Sequence, residues 1–228
     1  MSTTRRHEAL RRKGERRKAD ILRASRRIFL EKGYEGTSVQ DILDALGCSK
    51  GGFYHHFDSK VSVLAEIAAV HARESRGEYV QGAYASPVVA IGALLRRAAF
   101  LRQEDLALLR AVRELEGKSD GAILRDALVR ASAAAFFQDF TDAALALTRA
   151  GLAGFPGEDA LMLAFETFLH GGFLLMREAA GSSGGPGRAV SLLGALRRQV
   201  ESALRLPPGS VEVIGAQELA ALAAAVAR

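Results

Sequence analysis

Apolar residues return every third or fourth position along most of this chain, the period of a helix with one buried face. Ile21, Leu22, Ser25, Ile28 and Phe29 make the first such stripe, which predicts a helix over 16–32 that Gly33 ends. Thr37 followed by Gln40 fits a capping box, and Val39, Ile42, Leu43 and Leu46 then share one face up to Gly47, a residue suited to a left-handed helix end. Ser49 caps a second short helix whose inward residues are Phe53 and Phe57. Beyond it the pattern predicts helices over 59–82, 86–101, 104–116, 120–150, 157–180, 188–206 and 217–227. A flexible GSSGGPG loop is expected at 181–187, and Pro207-Pro208-Gly209 marks a break. The expected fold class is all-α.

Two short helices separated by a tight turn, over 37–60, have the geometry of a helix-turn-helix, in which the second helix enters the major groove of DNA and the first crosses its backbone. Packed with the helix over 16–32, they predict an N-terminal three-helix bundle. Lys50, Gly51, Gly52, Tyr54 and His55 are left on the outward face of the second helix. Gly51 and Gly52 each lower helix stability by about 1 kcal/mol relative to Ala, which makes sense where backbone must come close to DNA. Thr37 and Ser38 combine capping with a possible phosphate contact, and Gln40, just off the apolar stripe, is placed to reach a base edge unless capping occupies it.

Phe29, Gly33-Tyr34, Thr37-Ser38-Val39, Ile42, Gly47, Ser49-Lys50-Gly51, Phe53-Tyr54, His56-Phe57 and Ser59-Lys60 form an ordered string that resembles the DNA-binding motif of the tetracycline-repressor (TetR) family of bacterial transcription regulators. The resemblance covers roughly residues 16–65; Cys48 stands where the family pattern favours Val or Met. It implies that Tyr54 and His56 contact phosphate and sugar, that Lys60 binds a phosphate, and that the helix after Ser59 joins the DNA-binding part to a larger C-terminal helical domain for regulation and dimerisation. The expected organisation is a flexible basic arm over 1–15, a DNA-binding domain over 16–60 and a ligand-binding and dimerisation domain over 61–228.

Charge supports the division. Residues 1–60 hold 14 Lys and Arg against 8 Asp and Glu, leaving +6, whereas the other 168 residues hold 17 against 18, leaving −1. The whole positive excess sits with the helix-turn-helix, as expected of a phosphate-binding unit. Arg5, Arg6, Arg11, Arg12 and Lys13 in the arm are placed to follow the backbone or enter the minor groove.

Composition narrows the function classes. A single cysteine, Cys48, leaves no intramolecular disulfide, and no cofactor or metal site is expected. Cys48 reads as a small apolar filler of the turn rather than a redox sensor. No apolar run is judged long enough to span a membrane and no signal segment follows the basic start, so no membrane partner and a cytoplasmic location are expected. With no Gly-rich phosphate loop, metal-ligand spacing or nucleophile elbow, the chain does not read as an enzyme.

In the C-terminal part Arg96, Phe100, Arg113, Phe137, Phe140, Thr141, Phe165 and His170, with Tyr79, are candidates to line a cavity for a small apolar or amphipathic effector; such clusters otherwise simply fill a core. The helices over 157–180 and 188–206 suggest an antiparallel hairpin that pairs with its twofold mate. Leu161, Phe165, Phe168, Gly172, Met176, Leu193, Arg197 and Val200 are candidates for that interface, or for the monomer core. The sequence therefore predicts a homodimeric repressor that leaves a palindromic double-stranded operator when its ligand binds, the alternative being a DNA-binding structural or interaction protein.

Overall fold

The computed structural model describes residues 2–180 and 185–227; residues 181–184 of the expected loop lie outside that range. The described residues are helical and contain no strand, and they divide into two compact units, Met1–Ile67 and Ala68–Arg228.

The first unit comprises α1 (Ser2–Lys32), α2 (Val39–Leu46), α3 (Lys50–Tyr54) and the opening turns of α4 (Lys60–Gly77). Ile21, Ile28, Ile42, Leu43, Phe53, Phe57, Val63 and Ile67 form its core, with Leu22, Phe29, Val39, Leu46 and Cys48 packed against them. Val63 and Ile67 explain why the unit extends past residue 60: they close the open end of the three-helix core. Residues 2–15, expected as a basic arm, form the first half of α1. Arg12 pairs with Glu8 at 2.8 Å and Arg11 with Glu15 at 3.4 Å, i,i+4 pairs that support an exposed helix.

The second unit contains the rest of α4, then α5 (Pro87–Ala98), α6 (Leu106–Glu114), α7 (Ser119–Arg149), α8 (Glu158–Ala180), α9 (Gly185–Ala203) and α10 (Ala216–Ala227). Ser86 caps α5, accepting from Val89 N–H at 3.3 Å, with Pro87 in the first turn. Ile91, Leu94, Leu95, Leu124, Leu128, Phe136, Phe140, Phe165 and Phe168 are fully or almost fully buried where α5, α7 and α8 meet. Glycines permit close approaches here. A β-carbon at Gly92 would lie 1.9 Å from the Glu212 carbonyl oxygen, and one at Gly171 would lie 2.2 Å from Leu196. The latter contact, with the Glu178–Arg188 pair at 3.0 Å, sets α8 and α9 antiparallel.

By length and composition α8, over Glu158–Glu178, is apolar enough to cross a membrane, contrary to the expectation that no run was. More than half of it is buried within this chain, the situation of a core helix. Side chains expected at a dimer face, Leu161, Phe165, Phe168, Gly172 and Met176 on α8 and Leu193 and Val200 on α9, are turned into this chain's own core. Arg197 is paired with the buried Glu201 at 3.6 Å. The faces left outward carry Leu163 and Leu174 on α8 and Val190 on α9.

Beyond Pro207-Pro208, the buried Glu201 carboxylate accepts from Gly209 N–H at 3.0 Å and Val211 N–H at 2.9 Å, fixing the turn that returns the chain to α10. Arg110 then donates to the Ala225 carbonyl at 2.9 Å and Arg113 to the Val226 carbonyl at 2.9 Å, satisfying carbonyls at the end of α10 that have no partner within the helix.

Candidate nucleic-acid interface

The turn into α2 is built by hydrogen bonds. Gly33 takes φ 75° and its N–H donates to Phe29 O at 3.0 Å, ending α1. Thr37, buried, donates its hydroxyl to Gly33 O at 2.7 Å, so it is not the cap of α2. Ser38 is: its Oγ accepts from Asp41 N–H at 3.1 Å while Asp41 Oδ2 accepts from Ser38 N–H at 2.8 Å, a reciprocal capping box one residue later than the Thr37–Gln40 pair the sequence suggests. Lys32 Nζ donates to Asp41 Oδ1 at 2.6 Å, and this bond, followed by those from Ser38, holds the Asp41 carboxyl well below the usual carboxylate range. Gln40, released from capping, is exposed and donates to Asp44 Oδ1 at 2.7 Å.

Gly47 at φ 58° closes α2, and Ser49 opens α3 by accepting from Gly52 N–H at 3.3 Å. Phe53 is fully buried, so α3 is clamped by one side chain and its remaining residues face away. Lys50, Gly51, Tyr54 and His55 are exposed, with the Tyr54 ring set edge-on to Phe53 at 5.3 Å. Apart from its chain neighbours and the backbone of its own helix, nothing lies within 4 Å of where a Gly51 β-carbon would stand, so internal packing does not require glycine there.

His56 is half-buried; burial, and then the charges of His55, Lys18 and Arg17, push its pKa down. Lys60, implied as a phosphate ligand, turns its ammonium inward, donating to Tyr34 O at 2.8 Å and Thr37 O at 2.7 Å from above the Tyr34 ring. The outward surface of this unit thus carries Ser38, Gln40, Lys50, Gly51, Tyr54 and His55, flanked by exposed Arg11, Arg12, Lys13, Arg16 and Arg17 on α1.

The second unit has an open cavity of about 720 Å³. It is lined by Leu109, Val112 and Arg113 of α6, Glu116 and Gly117 after it, Arg125 of α7, His170, Phe173, Leu174, Met176, Arg177 and Glu178 of α8, and Val226 of α10. Of the effector candidates it gathers Arg113 and His170. The others lie elsewhere: Phe140 stacks on Phe165 at 4.9 Å, Phe137 meets Phe165 at 6.0 Å, and Phe100 stacks on His71 at 6.1 Å. Thr141 is buried beside this aromatic cluster in sequence and its hydroxyl has no partner among the described residues. Arg96 pairs with Glu218, and Tyr79, its pKa pushed up to about 12 chiefly by burial, donates to Ala90 O at 3.4 Å. Among the described residues no group of three or more His, Cys, Asp or Glu is placed to hold a metal ion.

Comparison with known proteins agrees with this geometry. Residues 21–67 match the family model for bacterial regulatory proteins of the tetR family. Over 63 residues, 28% of this chain and 31% of the relative, the chain is 40% identical to the HTH-type transcriptional repressor KstR2 of Rhodococcus jostii (strain RHA1). Over 47 residues, 21% of this chain and 24% of the relative, it is 48% identical to the HTH-type transcriptional repressor DhaR of Mycobacterium sp. (strain GP1). It therefore spans less than a third of the length of either. The fold resembles that of RolR crystallised with the ligand resorcinol, with a TM-score of 0.55 and 15% identity over 86% of this chain and 97% of that one.

Proposed function

We propose that this chain, whose residues 21–67 match the family model for bacterial regulatory proteins of the tetR family, is a cytoplasmic, DNA-binding transcriptional regulator that acts as a homodimeric repressor and leaves a palindromic operator when a small apolar or amphipathic ligand binds its second unit. The observation that carries the reading is the α2–turn–α3 device, whose inward side chains are spent on one core while Lys50, Gly51, Tyr54 and His55 stay exposed beside a basic α1. Two such units read half-sites about 34 Å apart, one helical turn of DNA. Exposed Leu163 on α8 and Val190 on α9 are apolar positions that a second copy would cover. The cavity supports a ligand: its volume is in the range of small-molecule sites, roughly 300–1,000 Å³.

The test is binding of the full chain to the DNA upstream of its own gene against scrambled DNA of equal length, across a salt series, repeated with Tyr54→Ala. Specific binding with a steep negative salt slope, lost in the variant, is expected. Equal affinity for both DNAs overturns operator recognition in favour of a sequence-insensitive DNA-binding role.

A further inference from the structure

The cavity of the second unit combines an apolar floor with a charged rim, and the ion pairs of the rim do not balance. Leu109, Val112, Phe173 and Met176 supply the floor. The rim carries three guanidinium groups, Arg113, Arg125 and Arg177, against two carboxylates, Glu116 and Glu178. Both glutamates are already matched: Arg177 lies 3.6 Å from Glu116 and 3.1 Å from Glu178, and Glu178 also meets Arg188 of α9 at 3.0 Å. Arg113 is committed to the Val226 carbonyl at 2.9 Å. Arg125 has no hydrogen-bond or ion-pair partner among the described residues.

A cationic ligand would therefore meet an unmatched guanidinium and two carboxylates already engaged. A neutral ligand would gain the floor alone. An anion on an apolar body gains both, because a guanidinium presents two parallel N–H groups that fit a carboxylate. We propose that the cavity binds an amphipathic carboxylate, with its headgroup on Arg125 and its hydrocarbon body against Phe173 and Met176. This rests on the reading of the chain as a ligand-responsive regulator and names the chemical class of its effector. Because Arg113 lines the cavity and also holds the end of α10, an occupant that draws on Arg113 acts on the docking of α10 as well.

Isothermal titration calorimetry of the full chain with dodecanoate, 1-dodecanol and dodecyltrimethylammonium, each below its aggregation concentration, tests the assignment. Dodecanoate is expected to bind tightest. Arg125→Met weakens it roughly tenfold or more, the loss of a charge-assisted hydrogen bond, while dodecanol changes by less than about threefold. Arg125→Lys, which keeps the charge, retains part of the preference for dodecanoate and guards against a general effect of substitution. Equal or tighter binding of dodecanol or the cation, equal weakening of both ligands by Arg125→Met, or binding of none of the three overturns the proposal. Operator binding measured on the same preparations separates the two readings. Specific DNA binding with no carboxylate preference defeats the effector class alone, whereas absence of specific DNA binding defeats the regulator reading itself.

Discussion

His71 Nε2 and Asp105 Oδ1 lie 2.6 Å apart, and Asp105 is completely buried. Asp105 also accepts from Arg102 NH2 at 3.0 Å and, through its second oxygen, from Arg102 N–H at 2.9 Å, while the His71 ring stacks on Phe100. A carboxylate removed from water is tolerated here because His71, the Arg102 backbone N–H and two guanidinium nitrogens of Arg102 converge on it. Phe100, held by this stack, adopts φ 56°, a left-handed backbone unusual for an aromatic residue. Asp105→Ala leaves the nearly buried Arg102 without its main partner and is expected to destabilise the second unit by about 3–5 kcal/mol. Urea unfolding followed by far-UV circular dichroism measures this directly, since the chain has no tryptophan. A loss below about 1 kcal/mol would mean that water replaces the carboxylate and that the pair does not organise the unit.

A second prediction concerns acid. The hydrogen bond from Lys32, then those from Ser38, lower the Asp41 pKa in the folded state, so the unfolded chain binds the proton more readily. The stabilisation is complete above the ordinary aspartate range, about pH 4, and is lost as pH falls through it toward the lower native value. The first unit should lose stability over that interval, and Asp41→Asn should flatten the dependence there. Carboxyl chemical shifts followed by NMR give the site itself: Lys32→Met returns the Asp41 titration toward its usual position. A midpoint already ordinary in the unsubstituted chain would remove the basis for this prediction.

The capping box shows what the sequence makes legible and what it leaves open. Thr37–Gln40 and Ser38–Asp41 both have a hydroxyl residue followed three positions later by a polar acceptor, so the pattern locates the helix start to within one residue. Burial of Thr37, whose hydroxyl goes to Gly33 O, settles it for Ser38. The core of the first unit was legible because Ile28, Ile42, Phe53 and Phe57 lie on narrow stripes with charged residues around them. α8 is different: opposite the buried arc of Leu161, Phe165, Phe168, Leu169, Phe173, Leu175 and Met176 it carries exposed Leu163 and Leu174, so periodicity does not tell an inward stripe from an outward one. The cavity was hidden for another reason. Arg125, Arg177 and Val226 come from α7, α8 and α10, and no local spacing announces that they share a wall.

Lys60 carries the third prediction. Its ammonium bonds to Tyr34 O and Thr37 O and lies 4.1 Å from the centre of the Tyr34 ring, tying the start of α4 to the turn between α1 and α2. Lys60→Met should therefore destabilise the first unit by about 1–3 kcal/mol. The salt slope of DNA binding, measured below the melting range, is expected to stay within about half a unit of the original. A drop of about one unit would show instead that the ammonium is a phosphate ligand in the complex.

Gly51 separates folding from DNA contact within one residue. It sits in the first turn of α3, where glycine is the less stable choice, and nothing in the chain approaches the position a β-carbon would take. Gly51→Ala should therefore raise the stability of the first unit by about 0.5–1 kcal/mol, through helix propensity and a less flexible unfolded chain. If α3 lies in the major groove with this backbone against DNA, the added methyl pushes the helix away, and operator affinity in a fluorescence-anisotropy titration should fall about tenfold or more. Stability and affinity then move in opposite directions, which a purely structural glycine cannot produce. A more stable variant with undiminished operator affinity would place the DNA on another surface of this unit and would remove Gly51 from the interface.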